Sequence, residues 1–126
     1  MRIRIYYHHT DCGGVVYYAN YLNFLEEART EFFAERGFSI KELASEGTMF
    51  VVARQEVDYK SPAFYGDELE IITTIEEISA VKIIFLHEIC NQNEQITTKA
   101  KTILVCVDKN LKPKAIPAEI RKKLEN

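Results

Sequence analysis

The chain has 126 residues, 47% hydrophobic and 11% aromatic, with a formal net charge of −3 and a pI near 5.6. That length suits a single domain, residues 1–126, and the apolar fraction suits a packed core, which excludes a disordered chain. The acidic balance excludes a basic field for nucleic acid, and no run approaches the roughly 18 apolar residues of a membrane-spanning helix.

The first segment, Ile3 to Tyr7, is β-branched and aromatic and reads as a strand. The N-terminus lacks the apolar core and small-residue cleavage site of a secretory signal. Cys12, Cys90 and Cys106 form no CxxC pair and suit free thiols in a reducing compartment, so a cytoplasmic protein is expected. Gly13-Gly14 then breaks regular structure. From Asn20 onward, Tyr21, Phe24, Leu25, Ala28 and Phe32 recur at helical spacing, which predicts a helix of about four turns closed by Gly37. Ser39 and Glu42 make a capping box, with Phe38 and Leu43 at the positions of a hydrophobic staple. They open a second, short helix that Gly47 ends.

After Gly47 the period becomes two. Val51, Ala53, Val57 and Tyr59 alternate with Val52, Arg54, Glu56 and Asp58, the pattern of a half-buried strand. Pro62 and Gly66 bracket a connection, and strands follow at 67–78, 81–89 and 96–107, with a hairpin loop at Asn91-Gln92-Asn93-Glu94. Pro117 opens a short terminal helix carrying Ile120 and Leu124. Short connections predict that the last four strands form a meander of antiparallel neighbours. One long helix on one antiparallel sheet is an α+β arrangement. Ile72, Ile84, Leu86, Ile103 and Val105 have the parity opposite to Ile71, Ile83, Phe85 and Leu104, so both sheet faces are apolar. One helix covers only one of them, and a homo-oligomer is expected to cover the other.

The chemistry is concentrated in Tyr7-His8-His9-Thr10-Asp11-Cys12-Gly13-Gly14-Val15-Val16-Tyr17-Tyr18-Ala19-Asn20-Tyr21. A carboxylate and two glycines stand a few residues ahead of a helix N-terminus, whose free N–H groups and positive dipole end attract negative charge. A thioester carbonyl over those N–H groups would be polarised, with Asp11 activating water or attacking the carbonyl itself. The competing reading is structural: Asp11 caps the turn or the helix.

This stretch resembles the signature of the 4-hydroxybenzoyl-CoA thioesterase family, in its YbgC-type acyl-CoA thioesterase branch. The matching residues are Tyr6-Tyr7, Thr10-Asp11, Gly14-Val15-Val16-Tyr17, Asn20-Tyr21-Leu22, Glu26 and Ala28-Arg29-Thr30-Glu31. Phe50-Val51-Val52, Tyr59, Ser61-Pro62-Ala63, Val105-Cys106-Val107-Asp108 and Lys112-Pro113 continue it over nearly the whole chain. The resemblance implies a hotdog fold, a sheet of about five strands wrapped around one long helix. It also implies pairing into dimers or tetramers with the active site between subunits. The implied activity is hydrolysis of acyl-CoA, with acyl carrier protein thioesters as a further possible substrate and neither cofactor nor metal.

By the same resemblance Asp11 is the catalytic carboxylate and Tyr18 supplies the backbone N–H that polarises the thioester. Tyr7, Gly14, Val15, Val52, Lys60 and Ser61 are the expected substrate-binding positions. Many members of the branch carry histidine where this chain has Tyr18, and a phenol is no base at neutral pH. A backbone role survives that change; a side-chain role does not. His8 and His9 likewise stand where acidic residues are common.

Rival assignments are weaker on chemical grounds. Adjacent His8 and His9 on a strand end would face opposite ways, which argues against a metal. Cys12 lacks an oriented partner for a nucleophile. Glu26, on the long helix, is the second candidate carboxylate. Arg54, Lys60 and Lys101 could meet the phosphates of coenzyme A, although solvated charge is the default for each. The functional alternative is a hotdog protein that binds acyl thioesters or partner proteins without turnover; an intact Asp11 favours the enzyme.

Overall fold

The computed structural model describes residues 1–125. In chain order the elements are β1 (Arg2–Arg4), a 3-10 turn (Tyr7–His9), α1 (Asn20–Glu35), α2 (Ile40–Ser45), β2 (Met49–Tyr59), β3 (Glu68–Ile78), β4 (Lys82–Cys90), β5 (Ile96–Val107) and α3 (Ala118–Leu124). The five strands form one antiparallel sheet in the order β1-β3-β4-β5-β2, with α1 on one face. This is the α+β hotdog arrangement that the resemblance implies.

Two expectations need correction. The first strand stops at Arg4, and Tyr7 belongs to a 3-10 turn. His9 donates its N–H to the Tyr6 carbonyl at 3.0 Å, and its Nδ1 accepts the Tyr6 N–H at 2.9 Å. That local exchange overrides the strand propensity of the tyrosines. The meander is also shorter than expected. β3, β4 and β5 are consecutive hairpin neighbours, but β2 pairs with β5, Met49 against Val107 through Tyr59 against Thr98. The 60–67 connection therefore crosses from one edge of the sheet towards the other, where β3 pairs with β1.

Helix α1 ends as its sequence predicts. Gly37 takes φ +88°, its N–H reaches the Ala34 carbonyl and the Phe38 N–H reaches the Phe33 carbonyl, which is a Schellman termination. Gly47 ends α2 the same way, at φ +90°, and Ser39 Oγ accepts the Glu42 N–H at the start of that helix. The buried face of α1 carries Tyr21, Phe24, Leu25, Ala28, Phe32 and Phe33. Near its N-terminus these pack with Ile5, Leu69, Ile71 and Ile89; near its C-terminus they pack with Ile83, Phe85, Leu104 and Ile120. Phe85 meets Phe32 edge-on at 5.3 Å and Phe33 at 6.0 Å.

A polar layer separates the two apolar clusters. Arg29 on α1 is buried and donates to Thr102 Oγ1 at 3.3 Å, and Thr102 donates to Gln55 Oε1 on β2 at 2.8 Å. His87, opposite Thr73 and Ala100 in the sheet, is 3% exposed, and neither ring nitrogen has a protein partner among the described residues. On the other face Ile72 is exposed and Ile84, Leu86, Ile103 and Val105 are half-buried, so the two-faced character read from parity is present.

Candidate active site

The Asp11 segment folds back on itself before α1 begins. Thr10 and Val16 form an antiparallel bridge, the Asp11 N–H donates to the Val15 carbonyl at 2.9 Å, and the Gly14 N–H donates to the Asp11 carbonyl at 3.0 Å. Gly14 closes this turn at φ +81°, a conformation that L side chains avoid. The carboxylate is aimed by the turn. Asp11 Oδ1 accepts the Gly13 N–H at 2.8 Å, an Asx turn, while Oδ2 has no partner among the described residues. A methyl group at Gly13 would lie 3.1 Å from Oδ1, so this glycine leaves the carboxylate its space.

The carbonyl of His9 ties the turn to the helix. It accepts the Tyr17 N–H at 2.9 Å and Asn20 Nδ2 at 2.8 Å. The residue before α1 is Ala19, and no side chain caps the helix. Asp11 therefore satisfies its own turn and does not cap the helix, whose first N–H groups bond the carbonyls of Tyr17, Tyr18 and Ala19. The Tyr17 carbonyl accepts the Asn20 N–H at 2.9 Å, and the Tyr18 carbonyl accepts the Tyr59 hydroxyl at 3.1 Å and the Tyr21 N–H at 3.4 Å. No described residue accepts a hydrogen bond from the N–H of Tyr18 or of Ala19. Two unsatisfied donors, the positive end of a 16-residue helix and an aimed carboxylate thus belong to one continuous, cross-braced segment.

The remaining expected positions fall into two groups. Val15 bridges Phe64, and the Val16 N–H donates to the Ala63 carbonyl at 2.8 Å, which brings the 61–64 segment against the turn. Ser61 is committed to structure, its hydroxyl donating to the Ile96 carbonyl at 2.7 Å. Lys60 follows Tyr59, its N–H held by the Thr97 carbonyl at 2.8 Å and its ammonium without a partner among the described residues. Of the other cations proposed for phosphate, Arg54 pairs with Glu56 at 3.3 Å and Lys101 with Glu76 at 3.0 Å. Tyr7 is 77% exposed and lies edge-on to Tyr65 at 5.8 Å. Val52 is not brought to the turn by its own chain. It sits beside the β2 bulge, seven residues from Tyr59, or ~23 Å at ~3.3 Å per strand residue.

The rival groups are placed as follows. Glu26 is exposed on α1, accepting Thr30 Oγ1 at 3.1 Å, about 9 Å along the axis from Asn20. Cys12 is exposed in the turn. His8 and His9 lie in the 3-10 turn and not on a strand, so the opposite-face argument against a metal does not apply; their rings are 4.1 Å apart. Burial, then the neighbouring His8, lowers the His9 pKa, and its Nδ1 is already an acceptor. His9 is thus neutral with the proton on Nε2, its ring edge-on to Phe24 at 5.3 Å.

Two features escaped the sequence reading. The sequence pattern places Tyr59 on a strand, in parity with Val57, and does not show the acceptor of its hydroxyl. Arg29 is four residues after Leu25 and three before Phe32, which places it on the buried stripe despite its charge.

Residues 6–124 match the family model of the thioesterase-like superfamily. The chain is 40% identical over 119 residues to the acyl-CoA thioester hydrolase YbgC of Escherichia coli O6:H1, covering 94% of this chain and 89% of that one. In structure it is similar to a hypothetical protein from Aquifex aeolicus, with a TM-score of 0.93, 31% identity, and 98% and 97% of the two chains covered. It is also similar to the DHNA-CoA thioesterase of Staphylococcus aureus, with a TM-score of 0.88, 29% identity, and 91% and 78% coverage.

Proposed function

The chain belongs to the thioesterase-like superfamily, and from that footing we propose that it hydrolyses the thioester of acyl-CoA to the free acid and coenzyme A in the cytoplasm. The observation that carries the reading is the pair of free N–H groups, those of Tyr18 and Ala19, at the helix entry beside the braced Asp11 turn. The thioester oxygen lies over the Tyr18 N–H, where the negative charge of the tetrahedral intermediate is stabilised as it develops. Asp11, through its free Oδ2, takes the proton of an attacking water, or attacks the carbonyl carbon to form an anhydride that water then cleaves. In either course the carbon–sulfur bond breaks, the acyl group gains a water oxygen, and the coenzyme A thiolate takes up a proton. Lys60 follows Tyr59 in the chain, and its ammonium, without a partner among the described residues, is suited to the phosphates of the nucleotide. A phosphopantetheine thioester on acyl carrier protein presents the same reacting group.

The reading includes a homodimer or homotetramer. β2 is an edge strand whose Val51, Val52, Ala53 and Arg54 are exposed, and Val52 reaches a site of this kind only from a second subunit. Sedimentation showing a stable monomer at micromolar concentration would remove this part of the reading.

Asp11→Asn tests the chemistry. It preserves size and the bond from Gly13 but removes charge and basicity. Turnover on a short acyl-CoA should fall by about 10²–10⁴-fold with KM little changed. If Asp11 is only a turn residue, the Asn oxygen serves the turn as well, and both stability and turnover stay near normal. Turnover within threefold of wild type would refute the mechanism and leave Glu26 as the next carboxylate.

A further inference from the structure

The Tyr18–Ala19 peptide is held from the sheet as well as from the helix. Its carbonyl receives the Tyr59 hydroxyl at 3.1 Å, whereas the helical donor to the same oxygen, the Tyr21 N–H, stands back at 3.4 Å. Tyr59 is the last residue of β2, opposite buried Thr98, and its two successors are both bonded to the Thr97 carbonyl, so the phenol is delivered by a rigid strand end. Its ring is fixed as well, edge-on to Tyr18 at 6.2 Å and to Tyr21 at 5.5 Å. Burial, then the neighbouring Tyr18, raises the Tyr59 pKa, so the hydroxyl is a donor at neutral pH.

A trans peptide is planar, with its N–H directed opposite to its C=O. A donor that fixes the Tyr18 carbonyl therefore fixes the direction of the Ala19 N–H, which has no acceptor among the described residues. The neighbouring peptide obeys the same geometry, since the Tyr17 carbonyl is held by the Asn20 N–H and the Tyr18 N–H points away from it. A hydrogen bond accepted at the carbonyl also polarises the peptide and makes its N–H a stronger donor.

We infer that Tyr59 is a positioning residue, its hydroxyl orienting the Tyr18–Ala19 peptide so that the Ala19 N–H joins the Tyr18 N–H as a second donor to the thioester oxyanion. The inference rests on the thioesterase reading of this site and adds to it a two-donor hole and the residue that sets it. Tyr59 itself touches no reacting atom. Its effect is transmitted through one peptide plane.

Tyr59→Phe in the full-length protein is the test, because it keeps both ring contacts and deletes only the donor. On a short acyl-CoA that the wild type hydrolyses, kcat should fall about tenfold, less than the 10²–10³-fold typical of losing an oxyanion donor outright. KM should stay within twofold, the signature of an interaction made in the transition state. Without any substrate, the Ala19 amide proton should move upfield in the NMR spectrum of the variant and the Ser39 and Gly47 amides should not. A merely structural tyrosine would lower the melting temperature and leave both kcat and the Ala19 resonance alone, which overturns the proposal. An Ala19 amide that does not move overturns it regardless of kinetics. A wild type that moves that resonance on Tyr59→Phe but hydrolyses no acyl-CoA keeps the peptide geometry and sinks the thioesterase reading, and the oxyanion role with it.

Discussion

His87 should make the stability of this fold depend on pH in a window where most of its charges do not. The imidazole is 3% exposed, and burial, then the positive charge of Arg29, lowers its pKa from 6.5 to about 4. From the helix it is faced by Arg29, whose nearest acidic influence is the exposed Glu26; in the sheet its cross-strand neighbours are the uncharged Thr73 and Ala100. The unfolded chain takes up the proton first, as pH falls through about 6.5, and the folded protein only near 4. Stability is therefore full above pH 6.5, declines between 6.5 and 4, and levels off below. That lowering corresponds to about 3 kcal/mol, of which about 2–3 kcal/mol is lost between pH 7 and 4.5. His87→Leu removes the titration and two orphaned polar atoms, so it should be at least as stable as wild type at pH 7. Urea unfolding of both proteins at pH 7 and 4.5, at equal protein concentration and ionic strength, isolates the effect of His87, because the carboxylates titrate alike in each. Parallel pH profiles, differing by less than about 0.5 kcal/mol, would refute the assignment of a buried neutral His87.

Other substitutions separate chemistry from scaffold. Tyr18→Phe keeps the backbone and should retain most of the turnover; a loss as deep as that of Asp11→Asn in steady-state kinetics would give the phenol a chemical role. Gly14→Ala forces a side chain into φ +81° and should cost about 1–2 kcal/mol in a thermal melt while lowering kcat further, because the turn that aims Asp11 distorts. Ser39→Ala removes the cap on the Glu42 N–H and should cost about 1 kcal/mol with kcat unchanged.

The helices and the extents of the last four strands are legible because their signals are local. Gly37 and Gly47 mark terminations that the structure builds with left-handed backbone, and the Ile96–Val107 strand begins and ends where composition changes. The partner of β2 was not legible. A period of two fixes which face a residue takes but says nothing of which neighbour accepts its N–H, and β5 has a free edge long enough to compete with β3. The end of β1 was missed for a different reason, since His9 Nδ1 captures the Tyr6 N–H and no propensity scale contains that bond.

At the site the same division decides what could be read. Asp11, Gly13 and Gly14 announce a tight acidic turn before a helix, and the structure supplies that turn with every bond expected of an Asx motif. What the sequence does not show is why the helix entry stays open. The two free donors, the N–H groups of Tyr18 and Ala19, stand just ahead of the helix, and Ala19 at the N-cap has no side-chain oxygen for the Tyr21 or Leu22 N–H. The helix entry is held instead by Asn20, the first residue of α1, donating to the His9 carbonyl, and by Tyr59 donating to the Tyr18 carbonyl. Both bonds join segments far apart in the chain or across a turn, and the second holds the carbonyl of a peptide whose N–H, that of Ala19, has no acceptor among the described residues. A helix entry held through the His9 and Tyr18 carbonyls and open at the Tyr18 and Ala19 N–H groups is arranged to receive negative charge, and that arrangement becomes visible only once β2 is seen to end against α1.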